Sequence, residues 1–391
     1  MPIKSRWFTP TPRISLLSWV FGSEQHGLRD AKMAFVDADD PKNTLTTWEF
    51  ELYSKRLAVG LRRLGVKPGD RVLVLSENGI FVPCLFFGII MAGALYTGAT
   101  SSSTALELSY QLQDSGAKVL ITSTNLIKTA VESARIVGLE MSHIFYQDAR
   151  GSRHNSLFHE GVPSWIELLS PAEEAEKFQR FEPPEPETAT CCLNYSSGTT
   201  GRPKGVEVTH FAYVANGEAH LVLHRLQQEA WSWPYRARAL CFLPLNHAAA
   251  QTTFIVNHPK MGVETYIMGQ YNINDMLSHI EKYQITELMT APPIISLLVA
   301  NSVLVGDSLR SVKIVICGTA PLALSLEQRA NALFKVDGVI IRQGWGMTEL
   351  TCLGTMNDPR LPGSPGSVGE TAPNSAIKLM HGETEITEAN K

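Results

Sequence analysis

Between residues 195 and 206 the chain reads Tyr195-Ser196-Ser197-Gly198-Thr199-Thr200-Gly201-Arg202-Pro203-Lys204-Gly205-Val206, a loop dense in hydroxyls and glycines that closes on a lysine. Glycine lets backbone N–H groups come close to an anion, the hydroxyls add donors, and one ammonium neutralises charge. These are the parts of a grip for a polyphosphate. The pattern is not Gly-x-x-x-x-Gly-Lys, because counting from Gly198 puts Pro203 where the second glycine would stand. A solvated Ser/Thr/Gly linker is the plain alternative. The Pro-Lys-Gly closure, the apolar strand Cys191–Leu193 before it and a helix start at Thr209 argue against that.

Three further stretches carry chemistry. Gly318-Thr319-Ala320-Pro321-Leu322 follows a strand-like run, and Gln343-Gly344-Trp345-Gly346-Met347-Thr348-Glu349 sets a large aromatic between glycines. Such a ring can lie flat on a purine, worth roughly 0.5–1.5 kcal/mol beyond plain burial. Thr348 offers a hydroxyl, and Glu349 a hard oxygen ligand of the kind Mg²⁺ prefers. Taken singly, Glu349 reads as a surface carboxylate and Trp345 as a core aromatic. The third stretch holds His247, followed by Ala248, Ala249 and Ala250 and then by Thr252 and Thr253, small side chains that suit a roomy pocket. His220 and His224 stand one helical turn apart, a spacing that can hold a metal, but no third ligand accompanies them. A pair on a helix surface is the expectation there.

The elements that must position these residues alternate in type. Thr46-x-x-Glu49 and Thr104-x-x-Glu107 are capping boxes, opening helices that stop at Gly65 and Gly116. Strands are expected at 71–75, 94–96, 118–122, 240–243, 264–267, 285–289 and 313–317, with helical stretches between them. That alternation implies parallel sheets covered by helices. The uncharged run 78–106 is long enough to span a bilayer, yet Pro83 and Gly88, Gly93 and Gly98 break it, so a buried helix and a strand are expected. Residues 151–190 read as a surface connection. The 391 residues carry a formal net charge of -4 with no basic block, which excludes nucleic acid as an expected partner. Six cysteines without a C-x-x-C pair read as buried free thiols in a reducing, cytoplasmic setting.

On these motifs the chain resembles the acyl-adenylate-forming (AMP-binding) superfamily, which includes acyl- and aryl-CoA ligases, luciferases and peptide-synthetase adenylation domains. It looks most like acyl-CoA and 4-coumarate–CoA ligases. Gly366-Ser367-Val368-Gly369 is similar to the family's turn before a small barrel, so the likeness runs over essentially the whole chain. It implies an α/β fold of two parallel-rich sheets covered by helices: residues 1–182 as a first sub-lobe, 183–362 as a second bearing the phosphate loop and the adenine and acyl site, and 363–391 as the start of a barrel. It implies a carboxylic acid attacking the α-phosphate of ATP to give acyl-AMP and pyrophosphate, after which CoA, or a carrier-protein thiol, displaces AMP.

In that resemblance Ser196, Ser197, Gly198, Thr199, Thr200, Gly201 and Lys204 hold the outer phosphates. Thr319, Gln343, Gly344 and Trp345 surround the adenosine, Trp345 standing for the usual Tyr or Phe. Lys204, Thr348 and Glu349 attend the reacting phosphate, with Glu349 on Mg²⁺. His247, Ala249, Thr253, Thr319, Ala320 and Gly344 line the acid site. His247 falls where amino-acid-activating relatives carry an aspartate, which speaks against a free α-amino acid, and Asn246 replaces a customary aromatic. Gln270 falls where coumarate-type ligases place a CoA-contacting lysine. The family continues beyond residue 391 into a mobile C-terminal domain with a further lysine. Weak activity, a non-catalytic nucleotide-binding remnant, or complementation by a separate C-terminal domain are therefore the expectations for this stretch alone.

Overall fold

The alternation resolves into two sheets in the computed structural model, which describes residues 2–22, 32–148, 157–196, 201–231 and 236–386. One sheet has six strands in the order Lys204–Thr209, Thr190–Ser196, Leu95–Ala99, Arg71–Leu75, Val119–Ser123 and Ile144–Gln147. Its first pair is an antiparallel hairpin and the other pairs are parallel. The other sheet has nine strands. Its parallel centre runs Ile341–Gly346, Ile314–Cys317, Glu287–Thr290, Arg238–Cys241, Glu264–Ile267 and Met33–Asp37, with antiparallel strands at either flank. Sheet membership crosses chain order: Met33–Asp37 and Thr44–Thr46 belong to the nine-stranded sheet, whereas the hairpin 190–209 completes the six-stranded one.

Both capping boxes form. Thr46 and Thr104 each accept from the N3 amide, while Glu49 and Glu107 reach back to the cap, and Gly116 ends its helix in the left-handed conformation. The uncharged run becomes the helix Val82–Met91, buried throughout, followed by the strand Leu95–Ala99. Its Gly88 sits where a Cβ would lie 2.8 Å from the Ser54 carbonyl oxygen, so the absence of a side chain lets this helix press against Thr47–Arg63. No helix among the described residues is long and apolar enough to cross a membrane.

Residues 157–190 are more than a surface connection. Trp165 and Leu168 are buried in the main core, and the Trp165 ring lies 5.3 Å from that of Phe81. Leu168 presents its carbonyl oxygen 1.5 Å from where a Cβ on Gly60 would sit, so this segment is clamped onto the helix beneath it. The absence of periodicity in the sequence hid an aromatic anchor. Near the end of the chain, Glu370–Thr371 extends the nine-stranded sheet, Ile3–Lys4 pairs with Ala376–Ile377, and Met380–His381 pairs with Thr384–Glu385. No closed barrel forms among these described residues. The six cysteines are free, five of them buried.

The long helix His210–Ala230 opens on a buried imidazole. His210 Nδ1 accepts from the Leu16 amide at 3.3 Å, and burial pushes its pKa down to about 4, only partly opposed by the Glu182 charge. The folded value lies below that of an unfolded histidine, so the unfolded chain takes the proton first and stability falls with pH below about 6.5. Between pH 7 and pH 5 this group costs roughly 2 kcal/mol. Urea unfolding at the two pH values should show a His210→Gln variant losing about that much less than the parent; an unchanged loss would refute the assignment.

Candidate active site

Ser196 and Lys204 are register partners at the open end of the hairpin, and the hydroxyl- and glycine-rich loop joins them. Ser197, Gly198, Thr199 and Thr200 lie outside the described residues. Sequence reasoning ran from this loop straight into a helix at Thr209. A strand, Lys204–Thr209, intervenes instead, with Thr209 capping the helix through the Ala212 amide at 3.1 Å. The helix Ala105–Ser115 braces the hairpin. Tyr110 donates its hydroxyl to the Pro203 carbonyl at 3.0 Å, the Arg202 guanidinium lies 5.5 Å over the Tyr110 ring, and the Tyr195 hydroxyl donates to Asp114 at 2.6 Å. Lys204 is left exposed at the rim.

Behind the hairpin is a buried polar knot. The Asn194 amide donates to Gln251 Oε1 at 3.0 Å, and the Tyr213 hydroxyl donates to the same oxygen. Gln251 opens a π-helical stretch, Gln251–Asn257, that continues the short turn Ala248–Ala250. Wide turns of this kind recur at functional sites. His247 caps that turn, its Nδ1 accepting from the Ala249 amide at 3.3 Å. That leaves Nε2–H as a donor on the neutral ring, and desolvation holds its pKa below the ordinary value.

A cavity of about 700 Å³ lies between this helical segment, the long helix and the nine-stranded sheet. Its floor is one face of two parallel strands. Glu287 stands beside Ile314 and Met289 beside Ile316, two residues apart along each strand and so pointing the same way. At the carboxyl ends of these strands the floor meets Gly318 and Thr319. Thr319 takes φ +71, a left-handed conformation that is costly for a β-branched residue. Backbone strain of that kind concentrates at working sites. Gly346 and Gly354 make a second close approach: a Cβ on Gly346 would lie 1.8 Å from the Cys352 carbonyl oxygen, and one on Gly354 would lie 2.6 Å from the Trp345 ring. The indole therefore lies directly on bare backbone and is 44% exposed.

Ser196 and Lys204 from the hairpin, and His247, Ala249 and Thr253 from the helical segment, border this cavity. So do Thr319, Gly344, Trp345, Thr348 and Glu349. Gly201, Ala320 and Gln343 do not. Gln343 alternates with Gly344 along its strand and points away. Buried, it donates to Glu327 at 2.6 Å and accepts from the Leu322 amide at 3.1 Å, bracing the turn that carries Thr319. Ala320 is exposed beyond Thr319. Gln270 lies outside the cavity and donates to Glu77 at 3.0 Å.

Sequence reasoning missed His220, His258, Glu287 and Met289, which also border the cavity. The expectation of a surface pair at His220 and His224 fails: the long helix turns His220 into the cavity and brings His224 Nε2 to 3.7 Å from Glu287 Oε1. The one-turn spacing of the histidines was the only signal. Burial lowers the pKa of His220 and pushes that of His258 to about 4. Among the described residues no group of three or more His, Cys, Asp and Glu side chains is arranged to hold a metal ion. A lone rim carboxylate, Glu349, still fits Mg²⁺, which takes one or two carboxylates and completes its shell with phosphate oxygens and water.

A family model described as AMP-binding enzyme matches residues 24–390. The chain belongs to the AMP-binding enzyme family. Among curated proteins it is 30% identical to an acyl-CoA ligase (azaF) of Aspergillus niger, over 95% of this chain and 68% of that protein. It is likewise 30% identical to a phenylacetyl-CoA ligase (epaB) of the same species, over 95% of this chain and 67% of the relative. The chain thus spans about two thirds of the length of these relatives. In fold it is similar to a long-chain-fatty-acid-CoA ligase of Archaeoglobus fulgidus, with TM-score 0.81 and 22% identity over 98% of this chain and 75% of the other. It is similar also to a luciferase-like enzyme of the mealworm Zophobas morio, with TM-score 0.82 and 18% identity over 99% and 86%.

The knot gives a direct test. Replacing Gln251 by Leu strips Asn194 and Tyr213 of a buried acceptor, which should cost roughly 3 kcal/mol in chemical denaturation. A loss below about 0.5 kcal/mol would show that the knot is not made.

Proposed function

We propose that this chain activates a carboxylic acid with ATP, forming an acyl-AMP and pyrophosphate, and that a thiol, CoA, then takes the acyl group. The observation that carries this reading is one continuous cavity with the hairpin's Ser196 and Lys204 at its rim, the strained Gly318–Thr319 turn at its centre and a mainly apolar trough beyond. The hairpin loop would hold the outer phosphates, with Lys204 neutralising charge on them. Trp345 would offer its half-exposed indole to the adenine, and Thr348 its hydroxyl to the α-phosphate. His247, donating from Nε2, and the Thr319 turn would orient the carboxylate. Mg²⁺ held by Glu349 would disperse the negative charge of the departing pyrophosphate.

Displacement at a phosphate depends on positioning and charge neutralisation more than on covalent help from the protein. These residues supply both. The cavity floor supplies the length for the acid, with Met289 and Ile316 as its apolar centre.

ATP–pyrophosphate exchange across a panel of carboxylic acids, with and without the C-terminal domain of a related ligase added, tests the proposal. Exchange dependent on one class of acid is expected, and Lys204→Ala should lower it about 10²–10³-fold. No exchange with any acid under either condition would contradict it.

A further inference from the structure

The far end of the trough is polar, which an acid with a plain hydrocarbon tail does not need. Ala239, Glu287 and Ile314 form one row across three parallel strands, at the strands' amino-terminal ends. Gly318 follows Ile314 by four residues, and at about 3.3 Å per residue that separates the row from the strained turn by about 13 Å. Over this row stand His220 from the long helix and His258 from the turn that follows the π-helical stretch.

Hydrogen bonding on the outer side of each ring fixes what it shows to the cavity. His220 Nδ1 lies 2.9 Å from the Asn216 carbonyl oxygen, which can only accept, so Nδ1 carries the proton and Nε2 is left as an acceptor. His258 Nδ1 lies 2.8 Å from Thr265 Oγ1. The two share one hydroxyl proton, and Thr265 reaches the Val263 carbonyl only at 3.4 Å, so the His258 ring presents its Nε2 edge to the cavity in either tautomer. Desolvation keeps both rings neutral near pH 7. The Glu287 carboxylate adds oxygens that only accept. Two acceptors, His220 Nε2 and the Glu287 carboxylate, thus meet at the end of a trough otherwise lined by Phe254, Met289 and Ile316.

Resting on the reading of the cavity as an acid site, we propose that the acid carries a hydroxyl at its distal end, which donates to the acceptors formed by His220 and Glu287, with His258 beside them. A hydrocarbon end there would strip acceptors of water and give nothing back. An ammonium end is the poorer match, because two of the three groups are neutral and the third already has His224 beside it. At ~1.2 Å per bond in an extended chain, the trough corresponds to roughly ten or eleven bonds from carboxylate to hydroxyl.

Calorimetric binding to the full chain, in parallel with ATP–pyrophosphate exchange, tests this with straight-chain acids of that length. The three acids compared end in methyl, hydroxyl and ammonium groups. The hydroxy acid should bind about tenfold to a hundredfold more tightly than the methyl-ended acid. Glu287→Leu and His220→Leu should each close much of that gap. Equal binding, or a preference for the methyl- or ammonium-ended acid, overturns the inference, and the comparison on the unmutated protein decides even if a variant does not fold. Hydroxyl preference in binding without exchange on any acid would leave this inference standing and remove the adenylation reading. Exchange without hydroxyl preference would do the reverse.

Discussion

The shared Gln251 oxygen at the centre of the buried knot is the contact on which the rest of the site depends. It accepts from Asn194 on the loop-bearing strand and from Tyr213 on the long helix, and it sits at the start of the π-helical stretch that lines the cavity. Polar groups this deep in the core pay for desolvation unless they are bonded, so the three elements share one low-energy arrangement. Asn78 makes a second tie of the same kind: its amide donates to the Leu243 carbonyl, and its oxygen accepts from the Leu245 amide at 2.9 Å. The Pro244 turn is thereby pinned to the six-stranded sheet. The hairpin strand at Asn194 and the pocket segment at Gln251 are consequently held in one frame, although they stand 57 residues apart.

The floor of that frame comes from strand register. Parallel pairing sets Glu287 against Ile314 and Met289 against Ile316, so one face of two strands forms a trough with a polar foot and an apolar middle. At its carboxyl end the chain must leave the sheet, and it does so through Thr319 at φ +71. A conformation of this kind costs on the order of 1–3 kcal/mol and persists only where neighbours enforce it. Gln343 is one such neighbour, holding Leu322 from beneath.

Much of this was legible in the residues. Capping boxes, turn glycines and apolar runs placed most helices and strands within a few positions, and the glycine-rich motifs marked segments that do converge on one cavity. What failed was information held in pairing and direction. Lys204–Thr209 is a strand because Thr190–Ser196 lies beside it, which no local pattern at the loop announces. Gln343 sits inside a site motif yet points away, because side chains alternate along a strand. His220 read as surface, since the polar face of a long helix cannot be told from a polar patch turned inward over a cavity. Glu287 carried no signal at all; only its register beside Ile314 brings it to the trough.

On the proposed reading nucleotide and acid share this one cavity, with the acid running along the trough toward Glu287. A crystal structure with a non-hydrolysable acyl-adenylate analogue tests it most directly. The purine is expected against Trp345, the phosphate mimic between the Thr319 turn and Lys204, and the acyl chain along Met289 and Ile316. An analogue bound with its acyl chain outside the trough, or with its nucleotide away from Lys204 and Trp345, would contradict it.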